Sequence, residues 1–149
     1  MTSIIANSTV ALDFGKQLEK EIEGEVLFDN FSRGQYATDA SIYQMIPTGV
    51  VVPKNSSDIE KVINLGRKEG ISLLARGGGT SQSGQTVNNS VVLDNSKFLN
   101  KIIEIDVKNR SCVVEPGIVL DELNRILKPH GLWFPVDIST SSRATIGGM

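Results

Sequence analysis

Apolar residues recur along the chain at helix and strand spacings, and the changes between the two outline its elements. Over residues 8–23, Val10, Leu12, Phe14, Leu18 and Ile22 give an imperfect apolar face that predicts a helix, with Gly24 after its end. An irregular stretch follows, FSRGQYATDASIYQMIPTGVVVP, in which Val50, Val51 and Val52 suit a short strand closed by Pro53. The segment NSSDIEKVINLGRKEG then sets Ser57 three residues before Glu60, a capping-box spacing, and finishes at Gly70, which predicts a second helix. Residues 71–75 follow at once as a short buried strand. Residues 49–75 therefore read as a strand, helix, strand unit, for which a right-handed parallel crossover is expected.

Farther along, the pattern becomes strand-rich. Residues 91–93, 102–105 and 112–114 are short β-prone runs, with a hairpin turn expected through Asn109 and another turn at Glu115, Pro116 and Gly117. In VLDELNRILKPHG, Val119, Leu120, Leu123, Ile126 and Leu127 stand at helical spacing, and the helix should stop at Pro129 and Gly131. Trp133 and Phe134 are expected in the core. The fold class is α+β, a small parallel βαβ subdomain followed by a hairpin-rich α+β subdomain.

Between the two parts lies ARGGGTSQSGQT, where three consecutive glycines follow the second predicted strand. Glycines have no side chain to pack and lose the most backbone freedom on folding, so something must come close to that backbone. In parallel α/β units ligands bind beyond the carboxyl ends of strands, where free amides point at anions. Gly77, Gly78 and Gly79 would admit phosphate oxygens to the main chain, and Thr80, Ser81 and Ser83 add hydroxyl donors. Arg76 reads either as a phosphate partner or as a surface ion-pair partner.

Two nucleotide motifs are absent. GTSQSGQT has P-loop spacing, but Gln85 stands where that motif needs lysine, and VNNSVVLD after it reads as turn and strand rather than helix. Gln82 breaks any G-x-G-x-x-G run. A second cluster of small polar residues, from Ser139 to Ser142 with Thr145, Gly147 and Gly148, lies about sixty positions on. Convergence of the two clusters would suit an extended ligand with a diphosphate in its middle.

Composition narrows the class further. The 149 residues are 40% hydrophobic and 21% charged, which suits one globular domain. A net charge of -2 with bases and acids interleaved argues against a nucleic-acid partner. One cysteine, Cys112, and one histidine, His130, provide neither a disulfide framework nor a metal or cluster ligand set. No stretch supplies the roughly 20 apolar residues of a membrane span, so the chain reads as cytoplasmic, or docked at the inner face of the membrane through another segment. Its ending, RATIGGM, looks like an interrupted element, so the chain is expected to be part of a longer protein.

The segments PTGVVVPKNSSDIEKVINLGRKEGISLLARGGGTSQSGQ, VVLDNSKFLNKIIEID and VVEPGIVLDELNRILKPHGLWFPVDISTSSRATIGGM resemble, in order and spacing, the first part of the flavin-binding (PCMH-type) domain of the vanillyl-alcohol-oxidase / p-cresol-methylhydroxylase superfamily. Within it, the chain looks most like FAD-linked D-2-hydroxy-acid dehydrogenases, the glycolate oxidase, D-lactate and D-2-hydroxyglutarate dehydrogenase group. The wording YATDASIYQMIPTGVVVP looks like the subgroup that carries iron–sulfur ligands in a later half.

The resemblance implies residues 1–46 as an N-terminal helix and lead-in, and 47–149 as the first part of the FAD-binding domain. It implies that Arg76, Gly77, Gly78, Gly79, Thr80 and Ser81, helped by Gly84 and Gln85, wrap the FAD pyrophosphate. Pro135, Asp137, Ser141, Ser142, Ala144, Thr145, Gly147 and Gly148 would lie along the pyrophosphate, ribityl chain and flavin. Relatives with covalent FAD use a histidine in the first loop; Thr80 and Ser81 here imply FAD held non-covalently. His130 reads as a helix-end residue, and Arg33 and Arg143 as solvated cations.

In the whole protein the resemblance implies oxidation of a D-2-hydroxy acid by hydride transfer to FAD. Electrons would leave through a cluster or quinone-linked acceptor, an iron–sulfur cluster lying in a later part. An oligomer is implied, with catalytic residues in later segments. The alternatives are a nucleotide-phosphate-binding module without redox chemistry, or an isolated folding unit that binds nothing.

Overall fold

The runs GVVV and VVLD are buried at every position, and the architecture follows from covering both faces of each. The computed structural model describes residues 2–149, with side chains described from Val10 onward. Helix α1 (Thr2–Glu21) leads into strand β1 (Glu25–Leu27) and a short helix α2 (Asn30–Gln35); then come β2 (Gly49–Val52), helix α3 (Ser56–Glu69), β3 (Leu73–Arg76) and β4 (Val91–Asp94). These strands form one sheet in the order β1-β2-β4-β3, with β2, β4 and β3 parallel and β1 antiparallel. Phe14, Leu18 and Ile22 from α1 and its end, with Val62 and Leu65 from α3, pack on Val51, Val91 and Leu93 on one face. Val50, Val52 and Val92 point to the other face, against Tyr36 and Phe98.

The parallel unit of residues 49–75 is present, but its strands are not neighbours: β4 lies between them. VVLD is apolar toward both faces and takes the centre, whereas half-buried LLAR suits an edge. So the run at 91–94 belongs to the first sheet, not to the hairpin region. The capping box at Ser57 and Glu60 is replaced by Asn55, whose side chain accepts from Asp58 N at 2.9 Å. Asp58, fully buried, instead takes Lys54 N (2.9 Å) and Glu23 N (3.1 Å), tying the start of α3 to the end of α1.

The second layer is the antiparallel hairpin β5 (Ile102–Asp106) and β6 (Ser111–Val114), packed on α4 (Leu120–Leu127) through Ile102, Ile105, Cys112 and Val114 against Ile118, Leu123 and Leu127. Its turn is organised by the Asp106 carboxylate, which accepts from Asn109 N and Nδ2, while Arg110 takes the left-handed conformation (φ 54°). Helix α4 ends in a 3-10 turn over Lys128–His130, with Gly131 at φ 68°. Trp133 and Phe134 are not in the core: Trp133 is 66% exposed, because Leu132 and Ile146 already close the layer between hairpin and helix. Ile103 and Val113, on the outer face of the hairpin, are also exposed.

Candidate functional site

Strands β3 and β4 end side by side at Arg76 and Asp94, and the glycine loop leaves from that edge. No helix follows the loop, in keeping with the missing P-loop lysine. Gly77 and Gly78 are required by what lies against them. A Cβ on Gly77 would overlap Thr145 Oγ1, and one on Gly78 would overlap the Arg143 carbonyl. The two small-residue clusters are therefore in direct contact, Gly77 against the Thr145 side chain and Gly78 against the Arg143 backbone. Gly79 adds a left-handed turn at φ 65°.

Between the clusters lies a cleft of about 630 Å³. Gly77, Gly78, Thr80, Ser81, Gln85, Ala144, Thr145 and Gly148 line it, as do Ser83, Val136, Ile138 and Thr140 from the anticipated segments, and the unanticipated Gln82, Thr86 and Met149. No lining side chain is ionisable. Among the described hydrogen bonds, none engages the backbone N–H of Gly77, Gly78, Gly79, Thr80, Ser81 or Gln82. Six successive amides without a described internal acceptor, beside a cleft with no ionisable lining side chain, suit an anion held by dipoles rather than by a cation. Ser81 shapes the far side of the loop: its hydroxyl bonds Gln85 Oε1 and accepts from Ser83 N (3.2 Å) and Gln85 N (3.3 Å).

An adjoining cleft of about 240 Å³ is lined by Arg76, Gly77, Gln85, Thr145, Gly147 and Gly148, together with Asn95 and Pro116. Asn95 Oδ1 is buried there without a hydrogen-bond partner. Gly79, Gly84, Pro135, Asp137, Ser141 and Ser142 line neither cleft. Asn95 follows the carboxyl end of β4, so the strand-end rule reaches it once VVLD is recognised as a parallel strand. His130 lies elsewhere, in a cleft of about 620 Å³ beside the hairpin that holds none of the anticipated site residues.

The second cluster is braced by its own backbone. Leu120 N and Asp121 N, the uncapped start of α4, donate to the carbonyls of Ala144 and Ser141 (3.1 Å each), and Ile146 N and Gly147 N return to Ile118 and Pro116 (2.9 and 2.8 Å). Arg76 lines the adjoining cleft but makes no ion pair among the described residues. Its guanidinium donates to the carbonyls of Tyr36, Thr38 and Thr86. Arg33 likewise is not simply solvated; its Nε donates to the Pro47 carbonyl at 2.7 Å. The Tyr36 hydroxyl donates to Asp94 Oδ2 at 2.7 Å, and burial, then that bond, pushes its pKa well up, so it remains a donor.

The sheet carries a glycine loop at its parallel strand ends, faced by a second small-residue wall across the cleft. Residues 47–149 match the FAD binding domain family, and the chain belongs to that family. It is 42% identical over 142 residues to D-2-hydroxyglutarate dehydrogenase of Haemophilus influenzae, covering 93% of this chain and 14% of that protein. It is 32% identical to glycolate oxidase subunit GlcD of Bacillus subtilis, covering 86% of this chain and 28% of the relative. The chain thus spans a minor part of the relatives it matches. Among solved structures, an alkyldihydroxyacetonephosphate synthase superposes with a TM-score of 0.81 at 20% identity, over 91% of this chain and 28% of the other, a likeness of fold.

Proposed function

We propose that the cleft between the two clusters holds the diphosphate of FAD, non-covalently, in a flavin-dependent enzyme that oxidises a D-2-hydroxy acid of the 2-hydroxyglutarate, lactate or glycolate type. The observation that carries this reading is that residues 77–82, five of which line an acid-free cleft, have backbone N–H groups without a partner among the described hydrogen bonds. The site fits the group: only glycine at 77 and 78 leaves the backbone open while the second wall stands against it. In this reading the loop amides and the Thr80 hydroxyl donate to the diphosphate, while Ser81 shapes the loop through its bonds to Ser83 and Gln85. Val136, Ile138 and Met149 give the rest of the ligand an apolar wall. Bound FAD supplies the acceptor for the substrate's α-hydrogen as hydride, and the protein's part is to orient it.

The wider reading includes an electron acceptor of cluster or quinone type, an iron–sulfur cluster in later residues, and an oligomer. It places the work in the cytoplasm or at the inner face of the membrane. The names of the relatives support the substrate class, and among the described residues no helix is long and apolar enough to cross a membrane.

The test is an FAD titration followed by flavin fluorescence, comparing Thr80→Asp with Thr80→Asn. Because a Cβ at Gly78 strikes a carbonyl, Thr80, which already lines the cleft, separates charge from packing. The carboxylate should weaken binding by about 3 kcal/mol, ~100-fold, with the amide near the parent. Equal affinities for the two variants would place the diphosphate elsewhere. Binding of ADP without FAD would favour the module that lacks redox chemistry.

A further inference from the structure

Residues 36–43 reach the glycine loop at its start, middle and end. At the start, Arg76 Nη2 donates to the Thr38 carbonyl (2.8 Å) and Nη1 to those of Tyr36 (3.3 Å) and Thr86 (3.0 Å). The guanidinium also lies over the Tyr36 ring, 5.4 Å from its centroid, and Tyr36 is itself anchored to buried Asp94. In the middle, Ala40 N donates to the Gly79 carbonyl (3.1 Å), and the Tyr43 ring fills the space a side chain at Gly84 would need. At the end, Asp39 Oδ2 accepts from Thr86 Oγ1 (2.9 Å).

We propose that residues 36–43 are a brace that holds the glycine loop in its cofactor-ready shape, with Arg76 a positioning residue of that brace and not a cation for the diphosphate. The inference rests on the diphosphate reading above. A loop with three successive glycines has much backbone freedom to lose on binding, and ordering it beforehand removes that cost from the binding step. Arginine is needed because one rigid fork spans three carbonyls while its face stacks on Tyr36; a lysine ammonium at the end of a flexible stem cannot do both. The brace precedes the family-matched residues 47–149, so a site defined by those residues alone omits it.

The test measures FAD affinity of the intact protein and its dependence on ionic strength for the parent, Arg76→Lys, Asp39→Ala and the double variant. If the brace sets the fraction of loops ready to bind, lowering that fraction to about one tenth raises the apparent Kd about tenfold. We expect that rise in Arg76→Lys despite its retained charge, with an unchanged salt slope. A smaller rise is expected in Asp39→Ala, and a double-variant effect below the sum, since both act through one brace. Near-parent affinity in Arg76→Lys, or additive effects of the two substitutions, overturns the brace. If Arg76→Lys does not fold by circular dichroism, Asp39→Ala decides: parent affinity there overturns the proposal. Failure of the parent to bind FAD overturns the diphosphate reading itself and so is told apart from failure of the brace.

Discussion

The two clusters of small polar residues meet in one cleft, yet their backbones are used in opposite ways. In the first, residues 77–82 leave their N–H groups without acceptors among the described hydrogen bonds, and the loop is held from outside by Arg76, Asp39 and Ala40. In the second, Arg143, Ala144, Ile146, Gly147 and Gly148 all donate within the fold, and the carbonyls of Ser141 and Ala144 cap α4. Similar composition thus leaves free amides, the proposed cradle, in one place and makes an internally bonded wall in the other. Hydrogen-bond accounting separates the two where residue types do not.

Substitutions at the contact between them should act most strongly. Gly77→Val forces branched carbons onto Thr145, which is buried and bridges to Val119, so overpacking should cost about 3 kcal/mol and abolish measurable FAD binding. Thermal denaturation and FAD titration check both, and a folded variant with parent affinity would break the picture of abutting clusters. Away from the cleft, Asp58→Ala leaves Glu23 N and Lys54 N without their acceptor and should lower stability by about 2 kcal/mol. Its FAD affinity, measured well below the transition, should match the parent. Gly147→Ala places a methyl 2.6 Å from Pro116 Cβ, on the wall side. We expect about 1 kcal/mol of lost stability with little change in affinity, whereas a large affinity loss would make the wall part of the cradle.

The same distinction marks how much of the molecule its residues make legible. The helix over residues 56–69 and the valine-rich strand at 49–52 are readable locally, because their spacing and end residues act within one turn or one run. The order β1-β2-β4-β3 is not, since it depends on which strand is apolar toward both faces once the helices are in place. Strand β1 and helix α2, in the irregular lead-in, are too short for periodicity to signal. At the site, the glycine loop announces itself through three glycines no core would use, and the second cluster through composition. The direction of the Arg76 side chain is settled by three carbonyls, two of them about forty residues away, which no local pattern encodes. Trp133 and Phe134 show the converse: apolar identity predicts burial, but the layer that would bury them is already filled by Leu132 and Ile146.

The smallest expected effect concerns acid. Burial raises the pKa of Asp39, but the hydrogen bonds from Ser41 and Thr86 outweigh it and hold the carboxyl below its ordinary value. A carboxyl depressed in the folded protein contributes stability above its unfolded pKa, about 4, and loses it as pH falls through the lower folded value. Asp39→Asn keeps an acceptor for Thr86 but removes the proton linkage. Between pH 5 and 3 (about one unit either side of the unfolded value) its stability should fall less steeply than the parent's, the other carboxylates being common to both. The cradle amides do not titrate, so above pH 5, roughly one unit clear of the carboxylate range, FAD affinity should be flat in both proteins. A parent and variant with the same acid dependence would mean that Thr86 is held without the Asp39 charge, leaving the brace to Arg76 and the main chain.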